Sequence, residues 1–131
     1  MSHITRTGNL AATPTLREGN SGPYTYARVL VSDRIRQDDD SYTDGPAVAY
    51  DVAVSGNQAV NLVAAAEEGG NIRVMFSGRY RVTEFKGDQG TRVQHEVRAD
   101  DVAVSLRNQS VSVTPSRSTD DAANTDGDTP F

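Results

Sequence analysis

The chain has 131 residues, a formal net charge of −5, no cysteine and no tryptophan. That length fits one domain plus a tail, and the missing thiols exclude disulfides, thiolate metal sites and cysteine nucleophiles. No apolar run approaches the roughly 20 residues of a membrane-spanning helix, and the opening MSHITRTGNL lacks the apolar core of a secretory signal, so a soluble, cytoplasmic protein is expected. Hydrophobic content of 36% and aromatic content of 6% are low for a wholly folded chain; either part of it is unstructured or burial is completed by oligomerisation. The acidity is uneven. Residues 116–131 hold four aspartates and one arginine, a balance of −3, which leaves −2 for the rest. Acids concentrate in RQDDDSYTDG, whereas bases gather between Arg73 and Arg92. Local patches, rather than the sum, govern polyanion binding.

In chain order, a short first strand is expected near Ile4–Leu10. PYTYARVLVSDR alternates, with Tyr24, Tyr26, Arg28 and Leu30 on one side and Thr25, Ala27, Val29 and Val31 on the other, the pattern of a second strand. Which side faces the core is open at this level. RQDDDSYTDGP follows as a polar loop ending in the turn residues Asp44-Gly45-Pro46. AVAYDVAVS is a third strand, stopped by Gly56.

NQAVNLVAAAEEGG changes period. Ala59, Leu62, Val63 and Ala66 recur at helical spacing, alanine is the best helix former, and Gly69-Gly70 ends the helix. Two long strands, NIRVMFSGRYRVTEF and TRVQHEVRADDVAVSL, are joined across the turn-forming KGDQG. DVAVS occurs at both 51–55 and 101–105; two copies of a strand pattern do not establish a duplication. From about Thr114 onward small polar residues and aspartate dominate without period, which predicts a disordered acidic tail. The expected architecture is therefore all-β, a domain over residues 1–113 followed by a tail over 114–131. Three strands, a helix and two strands is the order of an OB fold, a five-stranded Greek-key barrel with one helix between the third and fourth strands.

Catalytic signals are weak. His3 and His95 are the only groups suited to acid–base work near neutrality. His3 falls in an expected floppy terminus, and His95 alternates with Glu96 across a strand, which fits a structural or solvent-facing role. DDDSYTDG lacks the ligand spacing and closing glutamate of a calcium loop. GNSG and GDQG lack phosphate-binding or dinucleotide signatures, and NQS at Asn108 is a glycosylation pattern without a secretory context. Neither an enzyme nor a cofactor site is expected.

TGNLAATPTLRE, the helix-to-strand segment NLVAAAEEGGNIRVMFSGR, the hairpin SGRYRVTEFKGDQGTRVQHEVRADDV and the terminal GDTPF together resemble the bacterial single-stranded DNA-binding proteins. The resemblance spans nearly the whole chain. It implies a non-catalytic, nucleoid-associated homotetramer that coats single-stranded DNA without sequence preference and recruits replication, recombination and repair enzymes through its acidic tip. In that tip Asp126, Asp128, Thr129, Pro130 and Phe131 form the docking peptide. Phe131 fills an apolar pocket, while the terminal carboxylate and the two aspartates meet basic side chains. A flexible linker of about 16 residues spans roughly 20–25 Å on average, so partners are held near the barrel.

Single-strand binders combine a positive groove with aromatic platforms. Phe85 stands at the family's aromatic position on the long hairpin, and strand period places Arg79, Arg81 and Thr83 on its side. Arg73, Arg79, Arg81, Lys86 and Arg92 are candidate phosphate contacts, each equally readable as solvated rim charge. Tyr24, Tyr26 and Arg28 share a side that is either binding face or core, and Tyr50 is a further aromatic candidate if its strand slips in register. The third strand departs from the family pattern, with Ala49 and Ser55 where two aromatics are usual, and Thr83 replaces a usual base. At roughly 1–3 kcal/mol per base–aromatic stack, two missing stacks imply about 2–6 kcal/mol less binding per barrel. That deficit suggests a divergent paralogue and supports a second reading, an OB-fold protein–protein adaptor with vestigial DNA binding. Whether the acidic tail competes with DNA for the basic groove is open.

Overall fold

The computed structural model describes residues 2–115. Six strands and one helix follow in the order β1 (Ser2–Leu10), β2 (Arg17–Gly19), β3 (Gly22–Arg36), β4 (Tyr42–Ser55), α1 (Asn57–Gly69), β5 (Arg73–Gly87) and β6 (Gly90–Val104). The sheet order β1-β5-β6-β4-β3 is closed by β1–β3 pairing at Asn9 and Leu10, and the three-residue β2 is an appendage on β3. Apart from β2, this is the expected five-stranded OB barrel with its helix between the third and fourth long strands. The pairing is antiparallel except between β4 and β6, where Tyr50–Ala53 run parallel to His95–Arg98.

The alternation of β3 resolves the open choice of face. Thr25, Ala27, Val29 and Val31 are buried with Val52, Val54, Val74, Phe76 and Val97, so Tyr24, Tyr26, Arg28 and Leu30 point outward. Thr25, the one buried polar side chain of the described residues, donates its hydroxyl to the Thr15 carbonyl at 2.7 Å. The helix buries Ala59, Leu62, Val63 and Ala66, the stripe its spacing predicts, and packs against β3, β4 and β6. Gly70, at φ 79°, ends it by donating its N–H to the Ala66 carbonyl.

Two close backbone approaches shape the barrel, Gly8 of β1 against the Leu30 carbonyl of β3 and Gly78 of β5 against β6. A Cβ on Gly78 would collide with the Arg98 carbonyl of β6, so only glycine fits there. Directly beside it the ladder shifts: Ser77 faces Asp101 but Gly78 faces Ala99, leaving Asp100 as an extra residue on β6. Gln58, in the first turn of the helix, stitches this irregularity. Its amide donates to the Asp100 carbonyl at 3.0 Å, and its Oε1 accepts the Val102 N–H at 2.8 Å.

Two expectations are corrected. The polar loop over 36–46 is mostly strand. β3 and β4 extend as a paired arm through Arg36↔Tyr42, and only Gln37–Ser41 turn. Asp39 accepts from both the hydroxyl and the N–H of Ser41, and Asp40 adopts φ 66°. Gly45 and Pro46 oppose Asp33 at a bulge, where proline's missing donor costs no ladder bond. His3 is not in a loose terminus either. It lies in β1, opposite Arg79, and its Nε2 is 3.1 Å from the Asp100 carboxylate.

Candidate nucleic-acid interface

The outward residues of β3, β4, β6 and β5 form a grid fixed by strand register. One row is Tyr26, Ala53, Arg98 and Arg79; the next is Arg28, Asp51, Glu96 and Arg81. Further along the hairpin, Phe85 stands opposite Arg92. A groove runs over this surface, lined at one end by Tyr26, Arg28, Arg79, Arg81 and Arg98. It continues past Asp51, Phe85 and Gln94 toward Ala47, Ala49 and Arg92. Tyr26 and Phe85 are 62% and 54% exposed, which makes them available as flat apolar platforms. Phe85 lies six positions beyond Arg79, about 20 Å along the strand, and borders both parts of the groove, whereas Tyr26 borders only the first.

Five arginines (28, 79, 81, 92 and 98) and three carboxylates (Asp51, Asp88 and Glu96) line the groove, a local surplus of positive charge in an acidic chain. Arg81 is engaged: its Nη2 and Nε donate to one Glu96 oxygen at 3.1 and 3.2 Å, and the Thr83 hydroxyl donates to the other at 3.3 Å. Arg28, Arg79, Arg92 and Arg98 make no ion pair among the described residues, and their guanidinium groups can take up phosphate. Asp51 accepts the Gln94 amide at 2.8 Å.

The remaining candidates lie elsewhere. Tyr24 is outward beside Tyr26, the rings edge to face with centroids 5.7 Å apart, but it is half-buried against Gly19 and borders the groove without lining it. Lys86 alternates to the opposite side from Phe85 and stays exposed. Arg73 pairs with Asn9 at the far end of β5, away from the groove, with its Nε buried. Tyr50 keeps its inward register, at 8% exposure. Its ring packs on Phe76, Tyr80 and His95 in the core, so no slip presents it to a ligand. His95 has a structural role, its Nδ1 hydrogen-bonded to the Tyr80 hydroxyl at 2.7 Å. Asp126, Asp128, Thr129, Pro130 and Phe131 lie outside the described residues.

Arg98, Asp51, Gln94 and Glu96 were missed as groove residues by the sequence reading. The alternation in QHEVR carried the signal for β6, since it puts Gln94, Glu96 and Arg98 on one side; the parallel pairing that sets Asp51 beside Glu96 has no local signature. Ala49 and Ser55 do share the outward side of β4 with Asp51 and Ala53, so the face is smooth where two aromatics were looked for. Among the described residues no cluster of histidine or carboxylate side chains has the makings of a metal site, and no helix is long and apolar enough to cross a membrane.

No protein-family model and no curated protein sequence matches this chain. Solved structures do. The fold is similar to the crystal structure of the small single-stranded DNA-binding protein from Streptomyces coelicolor, with a TM-score of 0.68 and 24% identity over 81% of this chain and 95% of that one. The chain thus has an OB fold, shared with that protein across almost the whole of the latter's length.

Proposed function

We propose that this protein belongs to the single-stranded DNA-binding family and binds single-stranded DNA without sequence-specific recognition. One observation carries the reading: two exposed aromatics, Tyr26 and Phe85, line a groove in which four arginines make no ion pair among the described residues. Bases stack on the rings while the arginines follow the phosphates. The likeness in fold to a protein of that function supports the assignment. Photocrosslinking with a halogenated-uracil oligonucleotide tests it, with adducts expected at Tyr26 and Phe85. Adducts confined to Tyr42, on the arm, would contradict the assignment of the face.

The acidic tip, Asp126 to Phe131, serves as the docking peptide for replication, recombination and repair enzymes, and the domain ends near residue 113. The working form is a homotetramer in the nucleoid-containing cytoplasm. Val48, Val82 and Val93 expose 36%, 50% and 49% of their surface, apolar area that a subunit contact would cover. Light scattering after gel filtration gives the subunit number, and a monomer at micromolar concentration would contradict it. The adaptor reading is favoured by one feature, the small side chains Ala49 and Ser55 on the open face. Partner capture that requires Phe131, without any oligonucleotide binding, would select it.

A further inference from the structure

Asp51 occupies the centre of the groove, where a single-strand binder has most reason to avoid negative charge. On β3 its register partner is Arg28 and on β6 it is Glu96, so the row across the sheet reads Arg28, Asp51, Glu96, Arg81. The two carboxylates differ. Glu96 is tied on both oxygens, to Arg81 and to Thr83. Asp51 makes no ion pair among the described residues, and only its Oδ2 is occupied, by the Gln94 amide. A carboxylate acceptor fixes that amide's orientation, because only the NH₂ end can donate. Oδ1 of Asp51 accepts no hydrogen bond among the described residues, and Asp51 lines both parts of the groove.

Arginines on β3 and β5 lie on either side of this pair, three strand spacings apart, about 14 Å. Phosphates are drawn to Arg28 and Arg79 on those flanks and to Arg98 in the neighbouring row, and are repelled from the carboxylate pair itself, so a base is what fits over Asp51. An ionised carboxylate only accepts hydrogen bonds. Cytosine presents an exocyclic amine to it, the donor that aspartate and glutamate accept when they read cytosine. Thymine has a single donor, N3–H, set between two carbonyl oxygens that the carboxylate repels.

We infer that Asp51, held in place by Gln94, gives the groove a preference for amino-bearing over keto pyrimidines, so that it binds cytosine-rich single strands more tightly than thymine-rich ones. The inference rests on the single-stranded DNA reading above. Stacking alone gives only modest preferences that follow stacking strength and backbone flexibility; the carboxylate adds hydrogen-bond discrimination at one base position.

The test is competition binding of length-matched oligo-dC and oligo-dT to the full chain, at mildly alkaline pH where cytosine is neutral, repeated with Asp51→Asn and Gln94→Ala. Oligo-dC is expected to bind on the order of fivefold more tightly, the size of one charge-assisted hydrogen bond. Asp51→Asn should bring the two affinities together while strengthening oligo-dT binding, and Gln94→Ala should narrow the gap. Equal affinities in the unaltered protein would overturn the inference. So would a dC-to-dT ratio that Asp51→Asn leaves unchanged, since the carboxylate would then act on phosphates alone. Failure of both oligonucleotides to bind would overturn the single-stranded DNA reading itself.

Discussion

Replacing Phe85 or Tyr26 with alanine removes a platform from the groove and leaves the core intact, because both rings are more than half exposed. Each change is expected to weaken single-strand binding by roughly 1–3 kcal/mol, with little change in melting temperature. Tyr50 reverses the pattern. Its ring is packed on Phe76, Tyr80 and His95, so Tyr50→Ala should destabilise the fold by about 3 kcal/mol through the cavity it leaves. Parallel denaturant melts and oligonucleotide titrations of the three variants separate the roles. Arg79→Ala and Arg92→Ala should each flatten the log–log salt dependence by about 0.7, one single-strand phosphate contact apiece. An unchanged slope in both would take the phosphate path off β5 and β6. Alternation alone put Arg79, Arg81 and Phe85 on one side of the hairpin, and the family resemblance singled out Phe85 among them. Tyr50 was admitted only on condition of a slip that the ladder between Val29 and Tyr50 does not allow.

At the scale of elements, the helix and the long strands were legible because their burial patterns are strongly periodic. Ala59, Leu62, Val63 and Ala66 face the core as their spacing requires. The arm was not legible, since its charged and turn-prone residues hide a strand whose pairing depends on a bulge at Asp33. Its turn has a pH-dependent element. Hydrogen bonds from the Ser41 hydroxyl, then from the Ser41 N–H, hold the Asp39 carboxyl below its ordinary pKa. A depressed carboxyl favours the folded turn above its unfolded pKa and loses that contribution as pH falls through the folded value. The protection factor of the Ser41 amide, its exchange rate taken relative to the unfolded rate at each pH, should therefore fall on acidification, and Asp39→Asn should remove that dependence. The bulge at Asp100 was equally invisible, because the residue that satisfies it, Gln58, lies 42 positions away. Gln58→Ala leaves the Val102 N–H and the Asp100 carbonyl without that partner, and a loss of about 1–3 kcal/mol in a urea melt is expected.

For the whole molecule, the proposed function gives binding to the barrel and recruitment to the tail. Barrel closure could be anticipated from strand order, but the juxtaposition of β4 and β6 that builds the groove floor is a long-range parallel contact no local pattern encodes. Net charge was the least informative quantity of all: a chain at −5 carries a groove lined by five arginines and three carboxylates. Removing residues 114–131 should leave single-strand binding in place, or strengthen it by lifting negative charge, while abolishing capture of partner enzymes. The most direct measurement of the central claim is fluorescence anisotropy of a labelled oligonucleotide with the full chain across a salt series, alongside a duplex of equal length. The account predicts selective binding of the single strand with a negative log–log salt slope. Equal binding of single strand and duplex, or no binding even at low salt, would contradict it.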